Sequence, residues 1–430
     1  MAKEFPELKD AAIESRYKAA KKVYEDNGIN VDEVVDVVVN SIPLSMHCWQ
    51  GDDVRGFEST GPLTGGIMAT GNFPGAARNA KELRQDAEKA FSMIPGTPRF
   101  NLHAIYLENH GKPVGRDAIC YENFSEWVEW AKVSGIGLDF NPTFFSHPDK
   151  KLAGLTLSNP SRAIRRYWIE HALRCREISE MIAKEKDDDV VLNYWTPDGM
   201  KDTPVDRKGP RDRLGASYAE IFAKKIDKRV KESVEGKLFG MGVEAYTVGS
   251  HEFLFGIAMK HQKMLCLDMG HFHPTETIND KLSAVLPYVP GVLVHMSRGV
   301  RWDSDHVVLY NDELRDVAHE LVRGGALTSG KVYLATDYFD ASINRVGAWV
   351  TGQRAVYKAV LNAMLEPGRK LAELEMAERG YEKQALLEAQ KTMPFGDIWN
   401  YVCMTSVVPT DNGCINQVVD YQRKVLDKRN

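Results

Sequence analysis

The sequence predicts an α/β fold, a closed (β/α)8 TIM barrel with additional N-terminal and C-terminal helices. Three observations lead there. Eight short apolar runs of strand length are separated by polar or glycine-containing segments. Amphipathic stretches of helical length stand between most of them, and strand followed by helix, repeated eight times, is the pattern of such a barrel. The polar residues of the runs also fall near their C-terminal ends, where the loops of a barrel build its site.

In order, the runs are residues 42–49, 100–107, 135–140, 190–195, 234–239, 264–268, 292–295 and 332–336. The helical stretches are 76–93, 163–183, 212–231, 275–286 and 312–323. Residues 11–24 are well stocked with helix formers, and the tail from 341 onwards reads mostly as helix, with 371–390 rich in Leu, Glu, Ala and Lys. A barrel with its N-terminal helices over 1–367 and a helical extension over 368–430 follows. The extension either packs on a neighbouring subunit or covers its own barrel. Residues 51–58, with Gly65 and Gly66 after them, have the glycines and charges of a mobile lid or of a surface loop.

The 430 residues allow a large core, and 43% hydrophobic with 27% charged residues is ordinary for a globular protein. A net charge of -5, with both signs mixed along the chain, offers no basic stripe for nucleic acid. The charged start, Met1-Ala2-Lys3-Glu4-Phe5-Pro6, lacks the apolar core of a secretory signal. No apolar run approaches the roughly 20 residues that span a bilayer. Six scattered cysteines, Cys48, Cys120, Cys175, Cys266, Cys403 and Cys414, form no Cys-x-x-Cys pair. Reduced thiols in a cytoplasmic protein, with no membrane partner, are expected.

The chemistry gathers at strand ends: His47 and Trp49, His103, Asp139 and Asn141, Trp195 and Asp198, Glu235 and Lys237, Asp268 and His271, His295, Asp337. Residues 265–274 carry the clearest signal, an apolar run that ends in Asp268, His271 and His273. Carboxylates mixed with imidazoles suit zinc, manganese or magnesium, and the lack of a neighbouring thiolate disfavours a closed structural zinc site. Glu235, Asp268, His295 and Asp337 come from four successive strands and would enclose a first cation. His271, Asp303 and Asp305 come from two loops and would hold a second more loosely, with water completing its shell. Two ions a few ångströms apart can hold adjacent substrate oxygens and acidify a bound water.

Each residue also has a plainer role. Asp303 and Asp305 could pair with Arg298 or Arg301, and Asp340, three residues after Asp337, could be the last-strand ligand instead. His273, before Pro274, reads as the start of a helix. Lys237 shares a side of its strand with Glu235, so it either stabilises negative charge on a substrate oxygen or balances the carboxylates. Trp195 and Trp49 are a flat wall for a sugar ring or methyl group, or simple packing. His103 is a proton shuttle for opening a cyclic sugar, or a satisfied core histidine.

Four motifs, residues 46–53, 267–276, 301–306 and 339–345, together resemble the bacterial L-rhamnose isomerases. The resemblance covers nearly the whole chain and is weakest before about residue 35 and after about residue 368. It implies a metal-dependent aldose-ketose isomerase with a xylose-isomerase-like barrel, acting on L-rhamnose and assembling as a homotetramer. Manganese is the implied cofactor, at two sites, with zinc, cobalt or magnesium as substitutes. By motif, His271, Asp303 and Asp305 would hold the catalytic ion, and Glu235, Asp268, His295 and Asp337 the ion that anchors substrate. Glu235-Gly236-Lys237 resembles the Glu-x-Lys element of that superfamily, and His103 its second-strand histidine. The implied chemistry moves a proton between O1 and O2, steered by Asp303, while hydride shifts from C2 to C1. An enediol route with a carboxylate base is the rival. A metallohydrolase on the same barrel commonly wants a His-x-His pair on the first strand, where this chain has only His47 before Cys48. A non-catalytic sugar-binding role leaves the second ion without a purpose.

Overall fold

The computed structural model describes residues 4–49, 56–57, 75–145, 147–238, 243–273, 275–300, 306–340 and 342–429, the side chains at 48, 49 and 339 lying outside that set. The strands are β1 (Pro43–Trp49), β2 (Thr97–His103), β3 (Gly137–Asn141), β4 (Val190–Trp195), β5 (Gly199–Met200), β6 (Val230–Glu235), β7 (Tyr246–Thr247), β8 (Met264–Asp268), β9 (Val292–Met296) and β10 (Val332–Phe339). Eight of them, all parallel, close into a barrel in the order β1-β10-β9-β8-β6-β4-β3-β2, and β5 pairs antiparallel with β7. All eight apolar runs become barrel strands.

Two boundaries move for physical reasons. The fifth barrel strand, β6, ends at Glu235 and starts at Val230, four residues before the apolar run. Its Glu232 is buried between β6 and the helix layer, where Arg176 donates to it at 2.8 Å, the Tyr194 hydroxyl at 2.9 Å and Lys263 from the other side. A fully paired carboxylate thus occupies a position that reads as solvent-facing. The second run stops at His103, because residues 104–106 turn into a 3-10 helix.

The helices are α1 (Asp10–Glu25), α2 (Val31–Asn40), α3 (Ala80–Phe91), α4 (Ser125–Ser134), α5 (Arg162–Lys186), α6 (Lys208–Ile221), α7 (His251–His261), α8 (Asn279–Val285), α9 (Asp312–Arg323), α10 (Arg345–Met364), α11 (Gly368–Met376), α12 (Gly380–Gln390), α13 (Phe395–Thr405) and α14 (Asp411–Lys424). Among the described residues asparagine side chains cap four starts, Asn30 accepting from Glu33 N, Asn79 from Glu82 N, Asn311 from Leu314 N and Asn344 from Gly347 N. The helix expected over 212–231 spans Lys208–Ile221, and the end of the expected stretch is instead the start of β6 at Val230. The stretch 371–390 is split by Glu378 at φ 57° into α11 and α12.

The apolar core lies in the layer between strands and helices, where Phe100, Trp127, Trp168, Tyr338 and Trp349 are buried. The tube itself is mixed, with a small apolar cluster of Val191, Met264, Cys266, Leu293 and Ala335 on its wall. Ser45, Asn101, Asn193 and Ser233 are buried on the inward side of their strands, below the strand ends. Among the described residues no helix is long and apolar enough to cross a membrane.

The last helices cover their own barrel. Tyr401 of α13 stacks on Tyr17 of α1 with ring centroids 3.5 Å apart. Asp411, in the first turn of α14, accepts from Arg354 and Lys358 of α10, both at 2.8 Å, and from Trp399 at 3.2 Å. Burial opposes ionisation of Asp411, but Lys358 and Arg354 outweigh it and bring the carboxyl down to about 2. The group is half exposed, so water screens the pairs and their contribution is about 1 kcal/mol.

Two outcomes follow. Stability from Asp411 is present above the unfolded carboxyl pKa of about 4 and is lost as pH falls towards about 2. D411N should therefore lower Tm by about 2 °C at pH 7 and leave it unchanged near pH 2. Gly352 of α10 lies against the Tyr338 ring, where an added Cβ would overlap it. G352A should cost about 1–3 kcal/mol in denaturant melts, by pushing α10 off β10.

Candidate metal centre

The barrel register brings the strand-end ligands together. β6, β8, β9 and β10 are successive in the wall, Asp268 stands opposite His295, and Asp337 stands opposite His47. One ligand atom from each of Glu235, Asp268, His295 and Asp337 lies within 4.8 Å of every other. The His295 Nδ1 atom is 3.0 Å from Asp337 Oδ2, 3.4 Å from Glu235 Oε1 and 3.5 Å from Asp268 Oδ2.

Each carboxylate has one oxygen held and one turned inward. Asn193 donates its amide to Glu235 Oε2 at 2.6 Å, leaving Oε1 buried in the cluster without a hydrogen bond. The Ser297 hydroxyl and the Gly270 N–H donate to Asp268 Oδ1 at 2.9 and 2.6 Å, leaving Oδ2 towards His295. His47 Nδ1 lies 3.1 Å from Asp337 Oδ1, leaving Oδ2 inward. Neither ring nitrogen of His295 makes a hydrogen bond. Orphaned buried polar atoms facing one another are what a divalent cation satisfies.

The electrostatics agree. Burial opposes charge on Glu235, yet His295 and His271 hold its carboxyl well below the usual range. Burial likewise opposes protonation of His295, yet the Glu235 and Asp337 carboxylates push its pKa well above the usual imidazole value. Cys266 borders the cluster, but burial pushes its thiol up, so it stays neutral. Three carboxylates and one imidazole carry at least two net negative charges even with His295 protonated. A divalent ion cancels them.

His271 joins the edge of this group, its Nδ1 3.1 Å from Glu235 Oε1 and 3.2 Å from the Gly236 carbonyl oxygen. Its ring stacks against Trp195 with centroids 6.1 Å apart. The Lys237 ammonium sits 4.8 Å over the Trp195 ring, and Phe145 packs on the other flank. His103 is fully buried, with Nδ1 2.9 Å from the Thr143 hydroxyl and Nε2 against His47 Nε2. Asp303 and Asp305 lie outside the described residues, as do the Trp49 side chain and most of 51–58.

Other strand-end candidates are used elsewhere. Asp139 is held by Arg99 at 2.9 Å and accepts the Val191 N–H, well below the cluster. A partly open space of about 180 Å³ there is lined by Pro43, Arg99 and Asp188 at the strand starts and by Val191, Leu293 and Ala335, and touches the cluster at His295. Asp198 accepts four hydrogen bonds from the backbone and hydroxyls of Thr156 and Ser158. Asp340 takes the Val307 N–H at 3.3 Å and the Ser342 N–H at 3.0 Å, which leaves the cluster position to Asp337. His273 is exposed. Asn193, Ser297 and Thr143 were not singled out in the sequence, although an Asn in mid-strand is a weak signal of a buried polar task.

Residues 11–429 match the model of the L-rhamnose isomerase (RhaA) family. The chain is 49% identical over 422 residues to the L-rhamnose isomerase of Listeria innocua serovar 6a, spanning 98% of this chain and 99% of that one. It is 48% identical over 419 residues to the L-rhamnose isomerase of Rhodopirellula baltica, spanning 97% of each. Against that of Salmonella paratyphi B it is 49% identical over 419 residues, with 97% and 99% covered. Aligned ends, shared length and a strand-end cluster of carboxylates and imidazole lead to one conclusion: the chain belongs to the L-rhamnose isomerase family, and is an isomerase of the intramolecular oxidoreductase class.

Proposed function

We propose that the protein interconverts L-rhamnose and L-rhamnulose, with a divalent cation held by Glu235, Asp268, His295 and Asp337. The observation that carries the metal is the buried donor set within 4.8 Å. Family membership supplies the sugar. His271, with Asp303 and Asp305, is proposed to hold a second cation. The His271 Nδ1–H is engaged by the Gly236 carbonyl oxygen at 3.2 Å, so Nε2 is the ligating nitrogen. The resemblance favours manganese, and zinc, cobalt or magnesium suit the same donors. It also supports a homotetramer in the cytoplasm, and a catalytic unit over 1–367 with a helical extension over 368–430.

A bound divalent cation supplies Lewis-acid polarisation of adjacent sugar oxygens. The remaining work falls to side chains. Lys237 holds the negative charge that grows on a substrate oxygen, its ammonium steadied over the Trp195 face. Trp195 and Phe145 give an apolar wall to the methyl carbon of the deoxy sugar. His103 moves the proton that opens the ring. Asp303 steers the proton from O2 to O1 while the hydrogen on C2 passes to C1 with its electron pair, so the aldehyde carbon is reduced and C2 oxidised without net loss of atoms.

Three measurements test this. Metal-stripped protein should form no L-rhamnulose from L-rhamnose, and added manganese should restore turnover; no ketose in the presence of metal rejects the assignment. L-rhamnose deuterated at C2 should keep its label at C1, and complete wash-out into water excludes the hydride route. Asn193→Leu, which removes the amide from Glu235, should weaken manganese binding by about 10- to 100-fold in a metal titration.

A further inference from the structure

We infer that the barrel lumen below the metal cluster is a binding site for structural water, and that this water, held by Ser45 and Asn101, accepts the outer N–H of His295. The inference rests on the role proposed above for the cluster. It begins from an asymmetry among the four ligands. Each carboxylate has its outer oxygen taken by the protein, Glu235 by Asn193, Asp268 by Ser297 with Gly270, and Asp337 by His47. His295 differs: its Nδ1 is turned to the carboxylates, and its Nε2 makes no hydrogen bond.

That outer nitrogen carries a proton in either state of the site. With a cation on Nδ1 the neutral ring keeps its one proton on Nε2, and as an imidazolium the ring is protonated on both nitrogens. A buried N–H needs an acceptor, and a ligating imidazole finds it in a carboxylate, a backbone carbonyl or water. Among the described residues neither of the first two reaches Nε2. Cys266 borders the cluster, but sulfur is a weak acceptor.

The wall beside His295 shows where an acceptor fits. His295 stands opposite Ala335 on β10, and Ala335 stands opposite Ser45 on β1. Two strand spacings, about 9 to 10 Å, thus part His295 from Ser45 at the backbone, and only a methyl group fills the position between them. Asn101 comes from β2, the next strand round. These four residues all line the partly open space of about 180 Å³, which leaves room for several waters.

Ser45 Oγ and Asn101 Oδ1 are buried and have no hydrogen-bond partner. A hydroxyl, an amide oxygen and an imidazole N–H around one gap are complementary groups too far apart to pair directly, and water joins such groups. Val191 and Leu293 line the same space and offer nothing to bond, so the water is confined to the polar strip from Asn101 through Ser45 to His295. The space opens at the strand starts, beside Arg99 and Asp188. Water therefore enters from the face opposite the substrate mouth, and a sugar in the mouth does not displace it.

In a high-resolution crystal structure of the manganese-loaded protein, a water should lie within hydrogen-bond distance of His295 Nε2 and of Ser45 Oγ or Asn101 Oδ1. No water at Nε2, a protein carbonyl in its place, or xenon filling the space of a pressurised crystal as it fills a dry apolar cavity overturns the inference. Ala335→Val fills the gap, whereas Ala335→Ser leaves it small and polar. A335V should weaken manganese binding by about 10- to 100-fold in a metal titration, and A335S should stay close to the parent. Equal loss in both variants, or parental affinity in a folded A335V whose crystal structure lacks the water, also overturns it. If A335V does not fold, the parent structure decides. If the parent binds no manganese, the proposed metal centre fails, and the metal-free crystal structure still decides whether water holds Nε2.

Discussion

Charge compensation in a confined space governs this molecule. Glu235, Asp268 and Asp337 converge around one imidazole inside the barrel mouth, where water is scarce and each uncompensated ion costs several kcal/mol. His295 can offset one charge. The remainder calls for a cation, and the surrounding structure is arranged to keep the geometry ready for it. Asn193, Ser297 with Gly270, and His47 each occupy one carboxylate oxygen and so aim the other. Holding half of every ligand in place lowers the reorganisation needed when an ion arrives.

A second tier of support runs outward from the strand ends. Tyr338 follows Asp337 and points to the opposite face of β10, where its hydroxyl donates to the Ala348 carbonyl of α10 at 2.8 Å. The position of a ligand inside the tube is thereby coupled to helix packing outside it. The loop after β3 works similarly, with Arg116 and His171 holding a short strained segment that touches both His103 and, through Phe145, the Trp195 wall.

Much of the fold was legible because apolar runs and helical stretches alternate cleanly. Val190–Trp195 and Met264–Asp268 are strands within the bounds their sequences suggest, since each is apolar and ends in a polar side chain. β6 was misplaced because Glu232 hides its charge in a network with Arg176 and Lys263, partners far away in sequence. The four ligands of the central cluster were visible as polar residues closing successive strands. Asp139 and Asp198 share that appearance, yet one is neutralised by Arg99 and the other saturated by hydroxyls and amides, which only three-dimensional neighbours reveal. Thr143 was invisible for a different reason: nothing local announces a threonine in a left-handed conformation, because the forces that hold it there come from Arg116 and Asn141.

The division between lumen and outer layer has a wider implication. With Ser45, Asn101, Asn193 and Ser233 inside the tube beside a small apolar cluster of Val191, Met264, Cys266, Leu293 and Ala335, most apolar burial lies in the surrounding annulus of strand backs and helix faces. The two compartments can then change under separate selection pressures. Inner side chains are replaceable when new reactivity is wanted, and the annulus continues to secure the architecture.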